Sequence, residues 1–558
     1  MPSTATPPLA PGGLAGSLVA SLDPEQRAAA TLPDGPAQII APAGSGKTTT
    51  LIARLGVLLA RGVPPAAILV VPVKREAALE LSARIANRLV PQQPSAAEIE
   101  VRTLHALARQ VLLDGGAAVR LVADRLPLLR AARRRCAASR AESGEPLPEA
   151  AALDTLLSAW KVEGRPPPAE ALPVLGEYSA LLAAHGALDF DDLVARAVDL
   201  IETDAPLRAR WQSRFSHICV DEFQDVDAGQ LRLVRLLAAP QDNLFVVGDD
   251  DQTIYAWRLA DVRRILDFAA DYPTSRRVQL ATNYRCPPLV VAASRRLIDV
   301  NTERFAKRIE PAASAAGGPE TSLLAFAATG TDWPDRLVAV AVAEVASGGR
   351  ACFLARTRAE LGPVSLALLR SSVAHATTLP APAEAEPVVA LTDDLRRLLP
   401  AAAPFTALLA LRAGRGWRRA DGNDTLGDED HAALDAVLGW AVAFERSDTF
   451  LAGYDAARLR LASLRDPRAP IELVTVHGAK GREWELVVIV GFEDESFPNR
   501  RALLDARDAR RALEEERRLA YVALTRASRR LVLAFDPRRP SRFLAEIGAT
   551  APPPGRRG

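Results

Sequence analysis

A glycine-rich segment near the start of the chain has the composition of a phosphate-binding loop. Residues 41–48 read APAGSGKT; they follow a strand-like run at 38–40 and precede a helix-like run at 49–59. In such a strand–turn–helix, small residues let backbone N–H groups converge on phosphate oxygens at the positive end of the helix. Lys47 could then reach the β- and γ-phosphates and the Thr48 hydroxyl could bind Mg²⁺. The alternative is a glycine-rich turn before a surface helix.

Two adjacent carboxylates follow a second apolar run, where residues 220–225 read VDEFQD. At the end of a strand, Asp221 could bind Mg²⁺ and Glu222 could orient and activate the attacking water. Acidic residues also end strands without any function. The phosphate loop upstream favours the catalytic interpretation.

A third strand-like run ends in carboxylates, a glutamine and alternating aromatic residues, VVGDDDQTIYAWR over 246–258. Gln252 could sense the γ-phosphate, and Tyr255 and Trp257 could offer flat faces on which bases stack. Core packing is the ordinary role of aromatic residues. Here their polar neighbours favour exposure.

The bulk composition is that of a soluble globular protein. The 558 residues are 49% hydrophobic and 25% charged, which suits roughly three to four domain-sized units. A net charge of +1 means that any nucleic-acid contact must come from local patches. Four scattered cysteines predict neither a disulfide framework nor a zinc site. Without a long apolar run or a basic leader, a cytoplasmic location without membrane contact is expected.

Lysine is scarce in this chain. The 69 basic residues include only five lysines, at positions 47, 74, 161, 307 and 480. The phosphate loop keeps Lys47 despite this bias toward arginine. A lysine at this position fits a site that needs a compact ammonium charge rather than the planar guanidinium of arginine. The alternative is that lysine was kept here by chance.

The hydrophobic pattern predicts an α/β fold with two parallel sheets, each interrupted by a mostly helical insertion. Residues 22–71 read as helix, strand, loop, helix, strand. Residues 103–210 have helical spacing with no clear strand, and residues 365–468 have a weak signal of mixed helix. Further strand-like runs lie at 218–220, 244–247, 323–326, 352–354, 473–475, 487–490 and 531–533.

In their order along nearly the whole chain, these motifs resemble the UvrD/Rep/PcrA group of superfamily 1 DNA helicases. Ala at position 41 is that family's own variant of the phosphate loop. Six further segments carry the resemblance: LDPEQR at 22–27, TLH at 103–105, LDFDDL at 188–193, NYR at 283–285, VTVHGAKGREW at 474–484 and EEERRLAYVALTRA at 514–527.

The resemblance implies two RecA-like P-loop motor domains with helical insertions. The first motor domain is expected over 17–102 and 186–281, with an insertion at 103–185. The second is expected over 282–375 and 466–545, with an insertion at 376–465. Segments 1–16 and 546–558, rich in small residues and proline, are expected to be disordered.

The resemblance also assigns roles around ATP and Mg²⁺. Gln26 would read adenine, Tyr284 would stack on it and Glu483 would contact the ribose. The expected nucleotide-binding residues are Gln26, Ala43, Gly44, Ser45, Gly46, Lys47, Thr48, Thr49, Tyr284 and Glu483. The expected Mg²⁺ ligands are Thr48 and Asp221, and the expected catalytic residues are Glu222, Gln252, Arg285 and Arg526.

Two of the expected catalytic residues are arginine fingers, which stabilise charge on the transferring phosphoryl group. Arg285 and Arg526 lie far from the phosphate loop in sequence, so the cleft is expected to join two domains and to close on ATP. The expected DNA-binding residues are Thr103, His105, Tyr255, Trp257, Arg258 and His477.

The chain departs from the family pattern at three places. Val73 stands where relatives carry an aromatic residue that stacks on a base, and Thr49 stands where they often carry arginine. The second insertion is short and lacks the stretches that usually mark it. In the family this insertion contacts duplex DNA, so unwinding is the least secure of the expected activities.

The leading hypothesis is an ATP- and Mg²⁺-dependent helicase that moves 3′ to 5′ on single-stranded DNA and opens 3′-tailed duplexes in repair or recombination. The alternative is a DNA-stimulated ATPase that acts as a translocase, switch or scaffold subunit without unwinding. An RNA substrate stays open, because stacking platforms accept both sugars. A monomer with a possible repair-protein partner is expected, and a nuclease is not, since only a short tail follows Phe535.

Overall fold

The computed structural model describes residues 14–139, 147–255, 259–313, 322–399, 402–417, 426–506 and 508–549. The chain divides into two compact units. Unit 1 consists of Met1–Ala281 and Glu303–Arg308, and unit 2 consists of Thr282–Thr302 and Ile309–Gly558. The short segment 303–308 therefore belongs to unit 1 although its flanking segments belong to unit 2.

Unit 1 alternates strands and helices. Its strands are β1 (Ala37–Ile40), β2 (Ile68–Val71), β3 (Glu100–Val101), β4 (Arg120–Leu121), β5 (Ala187–Leu188), β6 (His217–Val220), β7 (Leu244–Gly248) and β8 (Arg276–Gln279). Its helices are α1 (Leu14–Ala20), α2 (Pro24–Ala30), α3 (Lys47–Ala60), α4 (Arg75–Arg88), α5 (Leu104–Asp114), α6 (Leu126–Ser139), α7 (Ala150–Glu163), α8 (Leu172–Ala184), α9 (Phe190–Thr203), α10 (Ala205–Arg214), α11 (Ala228–Ala238), α12 (Arg263–Leu266) and α13 (Phe268–Asp271).

The main sheet of unit 1 is parallel and has the strand order β3-β2-β6-β7-β1-β8. Alternate residues of β2 enter two different cores: Ile68 and Val70 pack with α3, whereas Leu69 and Val71 pack with α5, α9 and α11. Helices thus cover both faces, which explains why the central strands are near-continuous apolar runs. The parallel arrangement brings the carboxyl ends of β1, β6 and β7 to one edge.

The region between β3 and β6 has a core of its own. Helices α6, α7 and α8 pack around Leu129, Leu153, Leu157 and Tyr178. The expectation of no strand between 103 and 210 is wrong, because β4 and β5 form a two-residue parallel pair. Such a short pair has no periodicity for a sequence pattern to show.

Unit 2 contains the remaining elements. Its strands are β9 (Thr282–Asn283), β10 (Glu310–Pro311), β11 (Leu323–Ala327), β12 (Ala351–Ala355), β13 (Ile471–Thr475), β14 (Trp484–Ile489) and β15 (Ala527–Phe535). Its helices are α14 (Pro288–Ile298), α15 (Trp333–Ala346), α16 (Gly362–Arg370), α17 (Glu386–Leu398), α18 (Pro404–Gly414), α19 (Asp428–Ala441), α20 (Ser447–Leu464), α21 (Val476–Ala479), α22 (Arg500–Leu504), α23 (Ala509–Leu524) and α24 (Arg542–Glu546).

The second parallel sheet has the order β11-β15-β14-β12-β13. Helices α17 to α20 interrupt it between β12 and β13 and form a separate core with α16. At the centre of that core, Trp440 packs its ring against Phe450 and Tyr454, with centroids 5.6 and 6.3 Å away. The short second insertion is therefore a packed helical bundle.

The structure confirms the α/β fold with two parallel sheets, and a strand lies at every run that the pattern indicated. The predicted disordered ends extend too far, because α1 begins at Leu14 and Ile547 is buried. No helix among the described residues is both long enough and apolar enough to span a membrane.

Candidate active site

The phosphate-loop segment lies in unit 1 between β1 and α3. Gly44 and Gly46 have φ angles of 70° and 80°, the left-handed region that glycine adopts at little cost. A Cβ on Gly46 would lie 2.5 Å from the side-chain nitrogen of Gln26, so this position has no room for a larger residue. Lys47 donates to the loop's own carbonyls, at 2.9 Å from Ala41 O.

The predicted adenine reader, Gln26, is buried and packs on this loop. Its Nε2 donates to Ser45 O at 3.0 Å. Its Oε1 accepts from Asp23 N at 3.3 Å and completes the capping box of α2. The residue thus joins the start of α2 to the phosphate loop.

Other predicted loop residues differ in exposure. Ala43 and Ser45 are buried, and the Ser45 hydroxyl donates to Pro42 O at 2.7 Å. Thr48 is half-buried at the first turn of α3, and Thr49 is exposed. Backbone N–H groups and a hydroxyl at the start of a helix are the kinds of donor and oxygen that phosphate and Mg²⁺ take.

The predicted metal ligand Asp221 and the predicted base Glu222 directly follow β6. Burial raises the pKa of the Asp221 carboxyl to about 7, the neighbouring Glu222 adds to the rise, and Lys47 opposes it. A buried carboxylate of this kind gains from a divalent cation. A carboxylate and a hydroxyl such as that of Thr48 are the oxygen ligands that Mg²⁺ takes beside phosphate oxygens.

Glu222 has a strained backbone. Its φ is 53°, a left-handed conformation that costs a residue with a Cβ about 1–2 kcal/mol. Strain of this kind persists only where the surroundings enforce it, and it is common at active sites.

Gln224 links the ends of β6 and β7. Its Nε2 donates to Glu222 Oε2 at 2.5 Å, and its Oε1 accepts from Asp249 N at 2.9 Å. Gly248 leaves room for this amide, because a Cβ there would lie 2.6 Å from Gln224 Oε1. The carboxylate of Asp249 in turn accepts from Gln252 Nε2 at 2.8 Å. A continuous hydrogen-bond chain therefore joins Glu222 to Gln252.

The aromatic residues after Gln252 do not match the expectation of exposure. Tyr255 is only 9% exposed. Lys74 covers it: the Lys74 Nζ lies 2.5 Å from the Tyr255 hydroxyl and 4.9 Å from the ring centroid. The exposure inferred from polar neighbours is wrong, because a residue distant in sequence shields the ring. Trp257 and Arg258 lie outside the described residues.

Two further predicted DNA-binding residues of unit 1 lie at the start of α5. Thr103 is its N-cap, and its hydroxyl accepts from Ala106 N at 3.4 Å. The ring of His105 meets Phe190 edge-on at 5.3 Å. His105 and Phe190 line one small pocket together with Lys161 and Asp227.

In unit 2, Arg285 and Glu483 are brought together. Arg285 Nε lies 2.5 Å from Glu483 Oε2, and its Nη1 lies 3.3 Å from Thr525 O. The adjacent Tyr284 is 48% exposed, which leaves its ring accessible. His477 lies in the four-residue helix α21 after β13 and is half-buried.

Arg526 lies two residues after the end of α23 and is almost fully buried, 1% exposed. Its guanidinium donates to Val522 O at 2.9 Å, to Arg482 O at 3.2 Å and to the Thr525 hydroxyl at 3.2 Å. Arg285 and Arg526 both contact Thr525. The two predicted arginine fingers thus share one anchoring residue within unit 2.

The chain is similar to known helicases over most of its length. The family model of the UvrD/REP helicase N-terminal domain matches residues 22–273, and that of the UvrD-like helicase C-terminal domain matches residues 455–536. The ATP-dependent DNA helicase UvrD2 of Mycobacterium tuberculosis is 30% identical over an alignment that covers 95% of this chain and 82% of the relative. The chain belongs to the UvrD/REP helicase family. The PcrA helicase of Leuconostoc citreum is 27% identical, with 95% of this chain and 85% of the relative covered.

Membership of the UvrD/REP helicase family confirms the resemblance inferred from the motifs. It supports ATP-dependent DNA helicase as the class of enzyme and two RecA-like motor domains as the fold. The roles of individual residues in this member stay predictions.

Sequence reasoning missed two residues of this UvrD/REP site. The motif pattern assigns no role to Gln224, although a glutamine two residues after adjacent carboxylates at a strand end is a signal for one. The pattern assigns no role to Lys307 either, and its only signal is the rarity of lysine in this chain. Lys307 is fully buried against the carboxylates that follow β7.

Proposed function

We propose that this chain hydrolyses Mg²⁺-bound ATP to move 3′ to 5′ along single-stranded DNA and to open 3′-tailed duplexes in repair or recombination. Lys47 and the loop N–H groups bind the phosphates, Thr48 and Asp221 hold Mg²⁺, and Glu222 activates water. Bound Mg²⁺ would neutralise charge on the β- and γ-phosphates. Gln252, Arg285 and Arg526 are proposed to sense the γ-phosphate.

The observation that carries this proposal is the hydrogen-bond chain Glu222–Gln224–Asp249–Gln252. It ties the proposed base to the proposed γ-phosphate sensor within unit 1. In the proposed ATPase, this link connects the group that senses the γ-phosphate with the group that activates water.

The remaining assignments belong to the same proposal. Gln26, Tyr284 and Glu483 are proposed to hold the adenosine, and Thr103, His105, Tyr255, Trp257, Arg258 and His477 to lie along the DNA. The motor domains and insertions keep the proposed bounds 17–102 with 186–281, 103–185, 282–375 with 466–545, and 376–465. The proposal takes the protein as a cytoplasmic monomer.

The test measures ATP hydrolysis with and without single-stranded DNA, and then strand displacement from duplexes that carry either a 3′ or a 5′ tail. Lys47→Ala is expected to abolish hydrolysis. Arg538→Ala, whose side chain is 88% exposed, is the matched control and is expected to behave as the wild type. Hydrolysis that DNA does not stimulate would contradict the proposal, and opening of only the 5′-tailed duplex would overturn its direction.

A second candidate function is a DNA-stimulated translocase or switch subunit that does not unwind duplexes alone. The small second insertion favours it, since the four helices α17 to α20 span only residues 386–464. Val73, in place of a base-stacking aromatic residue, favours it as well. Stimulated hydrolysis with both tailed duplexes left closed is the expected result for this candidate.

A further inference from the structure

Three consecutive carboxylates follow β7 and are buried. Asp249, Asp250 and Asp251 are each 0% exposed. Three adjacent negative charges without water would be strongly destabilising unless cations accompany them. The cations come from segment 303–308, which belongs to unit 1 although its flanking segments do not.

Lys307 contacts all three carboxylates. Its Nζ lies 2.8 Å from Asp249 Oδ1, 2.6 Å from Asp250 Oδ1 and 2.7 Å from Asp251 Oδ2. The lysine side chain is itself 0% exposed. An ammonium group has three donors that rotate to suit three acceptors, whereas the planar guanidinium of arginine cannot converge on them in this way.

The same segment supplies two more contacts. Arg304 makes a bidentate ion pair with Asp251, in which Nε donates to Oδ1 at 2.9 Å and Nη2 donates to Oδ2 at 2.8 Å. The backbone N–H of Phe305 donates to Asp250 Oδ2 at 2.9 Å. Segment 303–308 therefore binds all three carboxylates of this turn through side-chain and backbone contacts.

The pKa shifts of Asp249 and Lys307 both favour the charged forms of these two side chains. Burial would raise the pKa of Asp249, but the charges of Lys307 and Lys47 and the hydrogen bonds from Lys307 and Gln252 together outweigh burial, so the pKa lies below its ordinary value. Burial lowers the pKa of Lys307, but the three carboxylates outweigh it and the pKa lies above its ordinary value. Burial raises the pKa of Asp250 to about 6 against the pull of Lys307.

Asp249 uses its two oxygens for different purposes. Oδ1 accepts from Lys307, while Oδ2 accepts from the side-chain amide of Gln252 at 2.8 Å. Its backbone N–H reaches Gln224, the partner of Glu222. Lys307 thus fixes the carboxylate through which Gln252 and Glu222 are connected.

We propose that Lys307 is a positioning residue for ATP hydrolysis, acting through Asp249 to hold the Gln252 amide and the Glu222 network in their working geometry. The inference rests on the proposed function, in which Gln252 and Glu222 serve hydrolysis. Lys307 is about 55 residues beyond Gln252 in the chain and does not contact the nucleotide loop in any described hydrogen bond.

The test is a double-mutant cycle on the full-length chain with single-stranded DNA present. Lys307→Met, Gln252→Ala and the double variant are compared in kcat, in KM for ATP and in thermal unfolding. Lys307→Met is expected to lower kcat by at least about tenfold with nucleotide affinity retained, because a displaced sensor impairs turnover more than binding. The double variant is expected to be no slower than the slower single variant, because both changes act through one group.

Two further variants separate positioning from stability. Arg304→Met removes a cation that pairs with Asp251, and it is expected to lower the unfolding temperature while it leaves kcat unchanged. Lys307→Met with Asp250→Asn restores the net charge of the cluster, so it is expected to recover folding but not kcat. This variant keeps the test decisive if Lys307→Met alone fails to fold.

The outcomes distinguish the proposed role of Gln252 in hydrolysis from the proposed positioning role of Lys307. Wild-type turnover in Gln252→Ala overturns the proposed role of Gln252 and this inference with it. Impaired Gln252→Ala beside normal Lys307→Met overturns this inference alone. Recovery of kcat in the charge-restored variant, or additive losses in the double variant, also overturns it, since Lys307 would then be only a counter-charge.

Discussion

Gln224 holds the carboxylate of Glu222 through its side-chain amide, 2.5 Å from Nε2 to Oε2. The opposite end of the same amide accepts from the backbone of Asp249 at 2.9 Å. A single side chain therefore links the residues that follow β6 and β7, two strands that are already paired in the sheet. The carboxylate that Gln224 holds belongs to a residue with a left-handed backbone conformation.

Replacing Gln224 by methionine should slow hydrolysis. The change keeps the side-chain volume but leaves the Asp249 N–H buried without its acceptor, which costs about 1–3 kcal/mol of stability. We expect kcat to fall by at least about tenfold, since Glu222 loses its positioning contact. Steady-state ATPase assays and urea denaturation measure the two effects.

Gln230→Met is the matched control for that variant. Gln230 is also a buried glutamine, but it completes the capping box of α11 with Asp227. It should lose stability by a similar amount with kcat unchanged. Equal kinetic defects in the two variants would mean that Gln224 contributes only to folding.

Replacing Glu222 by glutamine should separate hydrolysis from binding. The amide keeps the shape of the side chain but cannot take a proton from water, so kcat should fall by about 10²–10⁴-fold. Removal of the Glu222 charge also removes one of the groups that raise the pKa of Asp221, so Mg²⁺-ATP should bind at least as tightly. A fluorescent ATP analogue measures binding, and weaker binding would contradict this account.

The sequence predicted the parts of the site that depend on local pattern. Central strands of a parallel sheet are buried on both faces, so their apolar runs mark β1, β6 and β7 and place the residues that follow them at one edge. The sequence alone therefore predicts that the phosphate loop and the carboxylates after β6 lie in one region.

Contacts between distant segments could not be predicted in this way. Buried Tyr255 contacts Lys74, which lies 181 positions away. Lys307, which donates to the carboxylate of Asp250, lies 57 positions after it in the chain. In both cases the rare lysines were the available signal, since a chain so rich in arginine keeps lysine where a compact charge is needed.

Removing the hydroxyl of Tyr255 should affect stability more than DNA binding. Tyr255→Phe keeps the ring and its contact with Lys74 but deletes the hydrogen bond to Lys74 Nζ. A lost hydrogen bond to a charged group should cost about 1.5–3 kcal/mol. Urea denaturation should detect that loss, while anisotropy with a single-stranded oligonucleotide should report unchanged affinity. A large loss of DNA affinity would mean that the hydroxyl itself contacts the strand.

Replacing Arg285 by alanine should abolish most turnover. The proposed arginine finger contributes about 10³–10⁵ in rate in related phosphoryl-transfer enzymes. Arg285→Lys should recover little, because an ammonium group cannot reproduce the fork that reaches both Glu483 and Thr525. Arg358→Ala, which removes a surface ion pair with Glu429, is the control. Normal kcat in Arg285→Ala would exclude the finger role.

Buried His217 should make unit 1 sensitive to mild acid. Burial lowers the pKa of His217, and Arg54 and Arg61 lower it further, although Asp34 opposes them. The unfolded imidazole takes up a proton below its ordinary pKa of about 6.5, whereas the folded one stays neutral to a lower pH. Stability from His217 is therefore complete above about pH 6.5 and is lost as the pH falls below it.

The variant His217→Asn isolates this effect, because asparagine keeps a polar group at the site but does not titrate. The free energy of unfolding of the wild type should fall relative to His217→Asn as the pH is lowered from 7.5 to about 5.5. A difference between wild type and His217→Asn that stays constant with pH would show that the buried imidazole is not the source of acid sensitivity.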